Sequence, residues 1–447
     1  MEPLVTESVT AGRGSLDRPN EIHSPRAPRQ TQQLIAVVGL GYVGLPTALA
    51  LREAGRSVLG IDISERRLGE IRANDCDLTA ADRERLIAAL DAGERFQVTA
   101  DLDRLAEADA VLICVPTPID AHHVPDLRAL RACCETVCSQ ARRGQTIILT
   151  STSYVGTTRD LLVGPLEARG LRVGHDVCVA FSPERIDPAN SAFPQELVPR
   201  VLGASSPACA ESATAIVSAV APSVHVVSSP EAAEMTKLYE NVFRAVNISL
   251  ANEMAEAAQT LGLSAGEVID AAATKPYGFM PFQPGPGVGG HCIPCDPHYL
   301  LWQLRPRRQP MPLLERAMAG IAQRPRHVAE RAAELLSRHC SRGLSGARIL
   351  IVGVAYKPAV ADVRESPALT LIEILAGHGA EVAYHDPLVP VIERGDEALI
   401  AVAEPEPEAY DLMIAHTIHP GVDYGFLEAA PALLDCTYRL PVAKVDL

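Results

Sequence analysis

From Leu34 onward, short apolar runs alternate with longer segments of helical period. LIAVVG, SVLGID, AVLICV, TIILTS and VCVAFS read, in that order, as strands of a parallel sheet joined by crossover helices. A second, shorter series opens at RILIVGVAY (Arg348 to Tyr356), continues with EVAYHD and ends near DLMIAH and ALLDCTY, which predicts another α/β unit. Between the two series, from about Ser228 to Leu263, Met235, Leu238, Tyr239, Val242 and Val246 recur on one helical face. The pattern predicts an α/β protein with two Rossmann-like, doubly wound domains joined by a long central helix. The expected boundaries are a tail over 1–32, a first domain over 33–217, a central region over 218–325 and a last domain over 326–447. Within the central region, Arg305 to Pro325 is rich in Arg and Pro and reads as a surface connection.

Composition narrows the function classes. A chain of 447 residues, 47% apolar and 21% charged, is ordinary for a globular protein of two or three domains. The first 32 residues mix Arg, Pro, Ser and Gly without apolar periodicity, so a disordered tail is expected there. No signal-peptide pattern and no run of about 20 apolar residues is present, which predicts a cytoplasmic protein without membrane insertion. The formal charge of −15 disfavours nucleic acid as a partner. A small phosphorylated ligand would need local cations. The 11 cysteines, odd in number and scattered, fit reduced thiols better than a disulfide framework.

The first strand runs directly into Gly39-Leu40-Gly41-Tyr42-Val43-Gly44 and then a helical segment. That context suits a dinucleotide pyrophosphate: Gly39 for the turn, Gly41 for close approach of the phosphates, Gly44 for helix–strand packing, with Tyr42 and Val43 in the same loop. The next strand ends at Asp62, where a carboxylate accepts from ribose hydroxyls and repels a 2′-phosphate, favouring NAD over NADP. Arg66 and Arg67 lie close by, and Arg67 is a candidate to cover the adenine or a ribose. Thr117, in Val115-Pro-Thr117-Pro, and Thr152, in Thr150-Ser151-Thr152, follow strand ends where the nicotinamide half should lie, although such residues equally often begin turns.

Lys275 to Leu300, KPYGFMPFQPGPGVGGHCIPCDPHYL, is too dense in Gly and Pro for regular structure at its start. Cys292 follows the Gly289-Gly290 pair closely, so a substrate can approach its thiol, and Asp296 comes one helical turn later. On the central helix Glu234, Lys237, Asn241 and Arg244 share one face. On spacing alone, a solvated, salt-bridged surface is the simpler account of that face.

The segments VGLGYVGLP, VPTP, FSPERIDP (Phe181 to Pro188), EMTKLYENVFRAVNISLANE, GPGVGGHCIPCDP and GVAYKPAVADVRESPAL together resemble the UDP-glucose/GDP-mannose dehydrogenase family. TSYVGTT, FSPERIDPAN and DAAATKPYGFMPFQPGPGVGGHC are most similar to its UDP-N-acetylglucosamine 6-dehydrogenase branch. The resemblance implies an NAD-binding domain, a central dimerisation and catalytic region and a UDP-sugar-binding domain. It implies two oxidations of a sugar C6 alcohol by two NAD+ without a metal. Cys292 would be the nucleophile that forms a thiohemiacetal and then a thioester. Lys237 and Asn241 would stabilise the oxyanion, Asp296 would relay protons, and Glu184 with Thr117 would position water. Lys357 and Arg364 would hold the nucleotide sugar, with Glu184, Arg185, Lys237, Asn241, Arg244, Tyr277, Phe279, Phe282 and Gly289 completing the substrate site. A homodimer through the central helix is also implied.

Several positions depart from the family pattern. Thr150 replaces an acidic residue, Val155 a proline, Cys295 an aliphatic residue and His298 an aromatic one, and Ile321 to Pro325 lacks a usual Ile-Asn pair. Cys292-Ile-Pro-Cys295 invites a zinc or thiol-redox reading, but one pair is too few for structural zinc, so Cys295 is assigned to packing, with reversible oxidation left open. His291 and His298 read as loop or packing residues, and Arg364 could instead pair with Asp362 or Glu365 at the surface. The alternatives are UDP-glucose or UDP-N-acetylmannosamine as substrate, a non-catalytic nucleotide-sugar binder, or a thiol-redox protein.

Overall fold

The computed structural model describes residues 33–76, 78–91, 93–185, 197–290, 292–394 and 397–440. The expected tail, Ile186 to Pro188 of the FSPERIDP segment and His291 lie outside the described residues. The first sheet contains β1 (Leu34–Val38), β2 (Ser57–Ile61), β3 (Phe96–Thr99), β4 (Ala110–Ile113), β5 (Thr146–Leu149), β6 (Cys178–Phe181), β7 (Arg200–Ala204) and β8 (Val224–Val227). Their spatial order is β3-β2-β1-β4-β5-β6-β7-β8. All neighbours are parallel except β6 and β7. The first six follow the dinucleotide-binding order, whose direction reverses between β1 and β4 and leaves a crevice at their carboxyl ends. Along β1, Ile35 and Val37 enter one core while Ala36 and Val38 enter the other. Burial on both faces is why these strands are continuous apolar runs rather than alternating ones.

The second sheet contains β9 (Arg348–Val352), β10 (Glu381–His385), β13 (Leu412–Ala415) and β14 (Leu433–Asp435), with a separate hairpin of β11 (Val391–Arg394) and β12 (Glu397–Ile400). Its order is β10-β9-β13-β14, parallel throughout, so its own crevice opens between β9 and β13.

The central helix spans Pro230–Thr260; the Ser229 side chain caps it by accepting from Ala232 N, and proline opens it. Its amphipathic sense differs from the simple expectation. Leu238 and Ala245 are buried in the first core, but Met235, Tyr239, Phe243, Leu250 and Met254 stand exposed along one face. Glu234, Lys237 and Asn241 on the polar face are buried. The solvated-surface account of that face therefore fails for these three, because the helix turns its polar side toward the interior.

Arg305 to Pro325 is corrected as well. After a short turn, a helix runs Pro312–Cys340 with Pro325 inside it. Leu314, Met318 and Ile321 bury at helical spacing in the first core, and this packing overrides the breaker signal of the prolines. This second long helix packs along the central one. Among the described residues, no helix is long and apolar enough to cross a membrane.

Candidate active site

At the first crevice, the glycine loop is built as its sequence predicts. Gly39 adopts φ +89°, and a Cβ there would meet Cys114 O at 2.8 Å. A Cβ on Gly44 would come within 1.8 Å of Gly39 O, so only glycine lets this helix start so near the turn. Gly41 differs: an added Cβ would meet nothing within 4 Å. Its backbone borders open space, the cradle a pyrophosphate requires. Tyr42 is half-buried, and Val43 precedes the helix Gly44–Glu53, its carbonyl accepting from the Thr47 hydroxyl at 2.8 Å.

Asp62 accepts from Leu40 N at 2.8 Å and Ser64 N at 2.9 Å, so the carboxylate holds the glycine loop. Arg67 donates to Leu40 O at 2.9 Å and pairs with Glu70 at 3.4 Å, which pins its guanidinium against the same loop. Arg66 is exposed and pairs with Glu70 at 3.0 Å. At the neighbouring strand ends, Ser151 donates to Val115 O at 2.7 Å, tying the two together, while Thr117 and Thr152 stay half-buried.

The catalytic candidates converge from three elements. Cys292 is exposed at the start of a turn; its carbonyl accepts from Cys295 N at 3.2 Å and from Asp296 N at 2.8 Å. Asp296 opens the helix Asp296–Leu304 and is only 4% exposed. From the central helix, Asn241 donates a hydrogen bond to its carboxylate. Burial pushes the Asp296 carboxyl up to about 6, with Lys237 and Asn241 opposing the rise. Lys237, also buried, donates from Nζ to Glu184 O at 2.8 Å. The Glu184 carboxylate accepts from Arg200 at 2.6 Å and from Arg185 N at 2.7 Å. Arg185 in turn pairs with Glu240.

Two residues the sequence reading did not single out enter here. Arg200, on β7, is buried beside Glu184. Tyr299 is fully buried and donates to Thr117 O at 3.0 Å, linking the helix after Cys292 to the cofactor-side strand end. Arg200 carried no signal, because β7 itself was not expected; Tyr299 lies within the Lys275–Leu300 stretch but has no spacing that marks it. Glu234 does not join the thiol cluster. It accepts from Thr158 N at 2.8 Å and Thr158 Oγ1 at 2.7 Å, anchoring the chain after β5.

The loop before Cys292 lies against the second α/β unit. A Cβ on Gly289 would meet Tyr356 Cβ at 2.6 Å, and one on Gly290 would meet the Tyr356 ring at 2.9 Å. Gly290 N donates to Arg364 O at 3.1 Å. Lys357 is half-buried in the loop after β9. Arg364 grips Asp362 through contacts of 2.9 and 2.6 Å and lies 5.4 Å from the Tyr42 ring, so the surface-pair alternative is realised alongside a contact with the cofactor loop. The remaining expected substrate residues lie at the surface or pack locally. Arg244 and Phe279 are exposed, Tyr277 is exposed beneath Lys275, and Phe282 packs edge-on against Phe243 at 5.9 Å.

Cys295 is buried, and burial pushes its thiol up to about 12, which makes it a packing group rather than a reactive one. His298 stacks on His123 at 4.3 Å, and burial pushes it down to about 4, so it packs as a neutral ring.

The comparisons with known proteins agree with this layout. Models of the UDP-glucose/GDP-mannose dehydrogenase family match as its NAD binding domain over residues 33–221, its central domain over 231–320 and its UDP binding domain over 350–439. A UDP-N-acetyl-D-glucosamine 6-dehydrogenase from Pseudomonas aeruginosa is 32% identical over 424 residues, covering 92% of this chain and 98% of that protein. A UDP-N-acetyl-D-mannosamine dehydrogenase from Pyrococcus horikoshii is 34% identical over 382 residues, 83% of this chain and 90% of the relative. The solved structure of a UDP-D-ManNAc dehydrogenase from Pyrococcus horikoshii superposes with a TM-score of 0.84 at 31% identity, covering 93% of this chain and 98% of that one. By its glycine cradle, its two crevices and these matches, the chain belongs to the UDP-glucose/GDP-mannose dehydrogenase family and is an NAD-dependent nucleotide-sugar dehydrogenase.

Proposed function

We propose that this chain oxidises the C6 alcohol of UDP-N-acetylglucosamine to the carboxylate, a four-electron reaction: R–CH2OH, two NAD+ and one water give R–COO−, two NADH and three protons. The observation that carries the reading is an exposed Cys292 whose carbonyl accepts from Asp296 N, with the Asp296 carboxylate hydrogen-bonded to Asn241, and Lys237 buried one turn from Asn241 on the same helix. NAD, bound along the glycine loop and Asp62, supplies the hydride acceptor for both oxidations. The chain's own residues do the remaining chemistry. Cys292 thiolate adds to the C6 aldehyde, forming a thiohemiacetal whose oxidation leaves a thioester on sulfur. Lys237 and Asn241 face the oxygen on which negative charge develops, where each donor contributes about 3 kcal/mol. Asp296, held near 6, takes and returns protons close to neutral pH. Glu184, kept in place by Arg200, orients with Thr117 the water that releases the acid.

Lys357 and Arg364 hold the nucleotide sugar from the second sheet, with Arg364 leaving Asp362 when phosphate arrives. The likeness of three long segments to the UDP-N-acetylglucosamine branch supports that sugar over its epimer. The exposed apolar stripe of the central helix supports the expected pairing of two copies there. The test is an NADH-linked assay with UDP-N-acetylglucosamine, UDP-N-acetylmannosamine and UDP-glucose. Two NADH per UDP-N-acetylglucosamine, the highest kcat/KM for that sugar and loss of turnover in Cys292→Ser are expected. A single NADH per sugar, or undiminished turnover without the thiol, overturns the mechanism; a higher kcat/KM for another sugar overturns the substrate.

A further inference from the structure

The crevice of the second sheet holds a buried acid–imidazole pair to which neither the sequence nor the comparisons give a role. Asp386 follows β10, and His419 follows β13; their side chains are 0% and 1% exposed. Asp386 Oδ2 accepts from Val354 N at 2.8 Å and Ala355 N at 3.0 Å, just after β9. Asp386 Oδ1 lies 3.1 Å from His419 Nε2. The other ring nitrogen, Nδ1, accepts from Ala359 N at 3.0 Å. These partners define the tautomer: Nε2 carries the proton and gives it to the carboxylate, and Nδ1 is the acceptor. Burial works against the Asp386 charge, yet the His419 hydrogen bond and the two backbone donors hold its carboxyl below the ordinary range.

The pair therefore grips one short stretch of backbone at both ends, 354–355 through the carboxylate and 359 through the imidazole. Lys357 lies between the grips. The stretch is not at rest in the conformation it holds: Ala359 sits at φ +60°, the left-handed region that an alanine rarely adopts without external restraint. Tyr356, also inside the grip, is the side chain against which Gly289 and Gly290 pack next to Cys292.

We propose that Asp386 and His419 are positioning residues for the nucleotide sugar, setting where the Lys357 ammonium stands. The inference rests on the reading of Lys357 as a substrate ligand. A pair that served only to stabilise the fold would be indifferent to which of its hydrogen bonds was kept. A positioning pair is not. Asparagine at 419 places an acceptor oxygen where Nδ1 stood and keeps the Ala359 contact; glutamine places a donor where Nε2 stood and keeps the Asp386 contact instead.

The experiment compares His419→Asn, His419→Gln and Lys357→Met in the full chain, reading KM for UDP-N-acetylglucosamine, kcat, the Kd of UDP by calorimetry and the melting temperature. His419→Gln is expected to raise KM and the UDP Kd by about tenfold, equivalent to about 1.4 kcal/mol, with kcat within about twofold of wild type. His419→Asn is expected to recover most of that loss at a similar melting temperature. With Lys357→Met already present, adding His419→Gln should change KM by less than about twofold. Equal KM increases in the two His419 variants, or a fall in melting temperature with no change in UDP affinity, overturn the positioning role. Unchanged KM in Lys357→Met overturns the reading of that lysine instead. If His419→Gln fails to fold, Asp386→Asn, which weakens the other end of the grip, carries the same expected rise in KM, and an unaltered KM there sinks the proposal.

Discussion

Asp296→Asn sets stability against function at the centre of the proposed site. Burial raises this carboxyl from its ordinary 3.8 to about 6 even though Lys237 and Asn241 act in the opposite direction. A rise of that size means that holding the charge in the folded protein costs about 3 kcal/mol above pH 6. The folded state binds the proton more tightly than the unfolded chain, so stability falls as pH rises from about 4 to about 6 and stays lower above that. Asparagine has no proton to lose and keeps an oxygen facing Asn241. The variant should therefore gain on the wild type by about 2 kcal/mol between pH 4.5 and pH 7.5. Urea unfolding at the two pH values measures this, read by the fluorescence of the single tryptophan, Trp302, which lies on the helix that Asp296 begins and packs edge-on to Tyr154. Turnover at pH 7.5 should fall by at least about a hundredfold, since no other group takes over the proton. A stability gap that does not change with pH would refute the burial argument. Undiminished turnover would refute the proton-relay role.

The glycine loop separates packing from binding. Gly44→Ala forces a Cβ to 1.8 Å from Gly39 O and should lower the melting temperature sharply, whereas Gly41→Ala, with nothing within 4 Å, should melt like wild type yet raise the KM for NAD+ by tenfold or more on the order expected for one crowded phosphate contact. An unaltered NAD+ KM in Gly41→Ala would move the pyrophosphate away from this loop. Arg200→Met removes the guanidinium that donates to the buried Glu184 carboxylate at 2.6 Å and should cost about 3 to 5 kcal/mol by chemical denaturation. Arg200→Lys should recover part of both stability and turnover; a lysine variant as unstable as Arg200→Met would argue against the ion pair as the cause.

What could be read from the chain alone follows from how local each constraint is. The glycine loop was legible because strand, turn and helix are consecutive and Gly39 and Gly44 answer to steric limits within one short segment. The continuous apolar strands were legible for a similar reason, and β7 was not: RVLGA follows a stretch rich in Pro and runs antiparallel to β6. Helical spacing placed Glu234, Lys237 and Asn241 on one face, but no spacing tells which face meets solvent. The helix buries polar groups there because Asp296, Glu184 and Thr158 from other elements satisfy them. The prolines near Pro325 suggested a connection for the opposite reason: their local preference was outweighed by Leu314, Met318 and Ile321 packing into a core that the sequence pattern does not display.

The unread residues share one property: each acts at a distance along the chain. Arg200 reaches Glu184 across 16 residues, His419 reaches Asp386 across 33, and Tyr299 reaches Thr117 across 182. Arg200 and Tyr299 each hold a residue of a recognisable segment, Glu184 and Thr117, while His419 holds Asp386 just after β10. The thiol explains why this division recurs. In the proposed mechanism Cys292 is open to substrate, so it cannot be held by enclosure. Its position is set by its carbonyl, gripped by the Asp296 helix, and by Gly289 and Gly290, pressed on Tyr356 of the second unit. An exposed nucleophile flanked by buried charges therefore needs support from both α/β units at once. The loop after β9, held by Asp386 and His419, brings Tyr356 against the glycines that precede the sulfur.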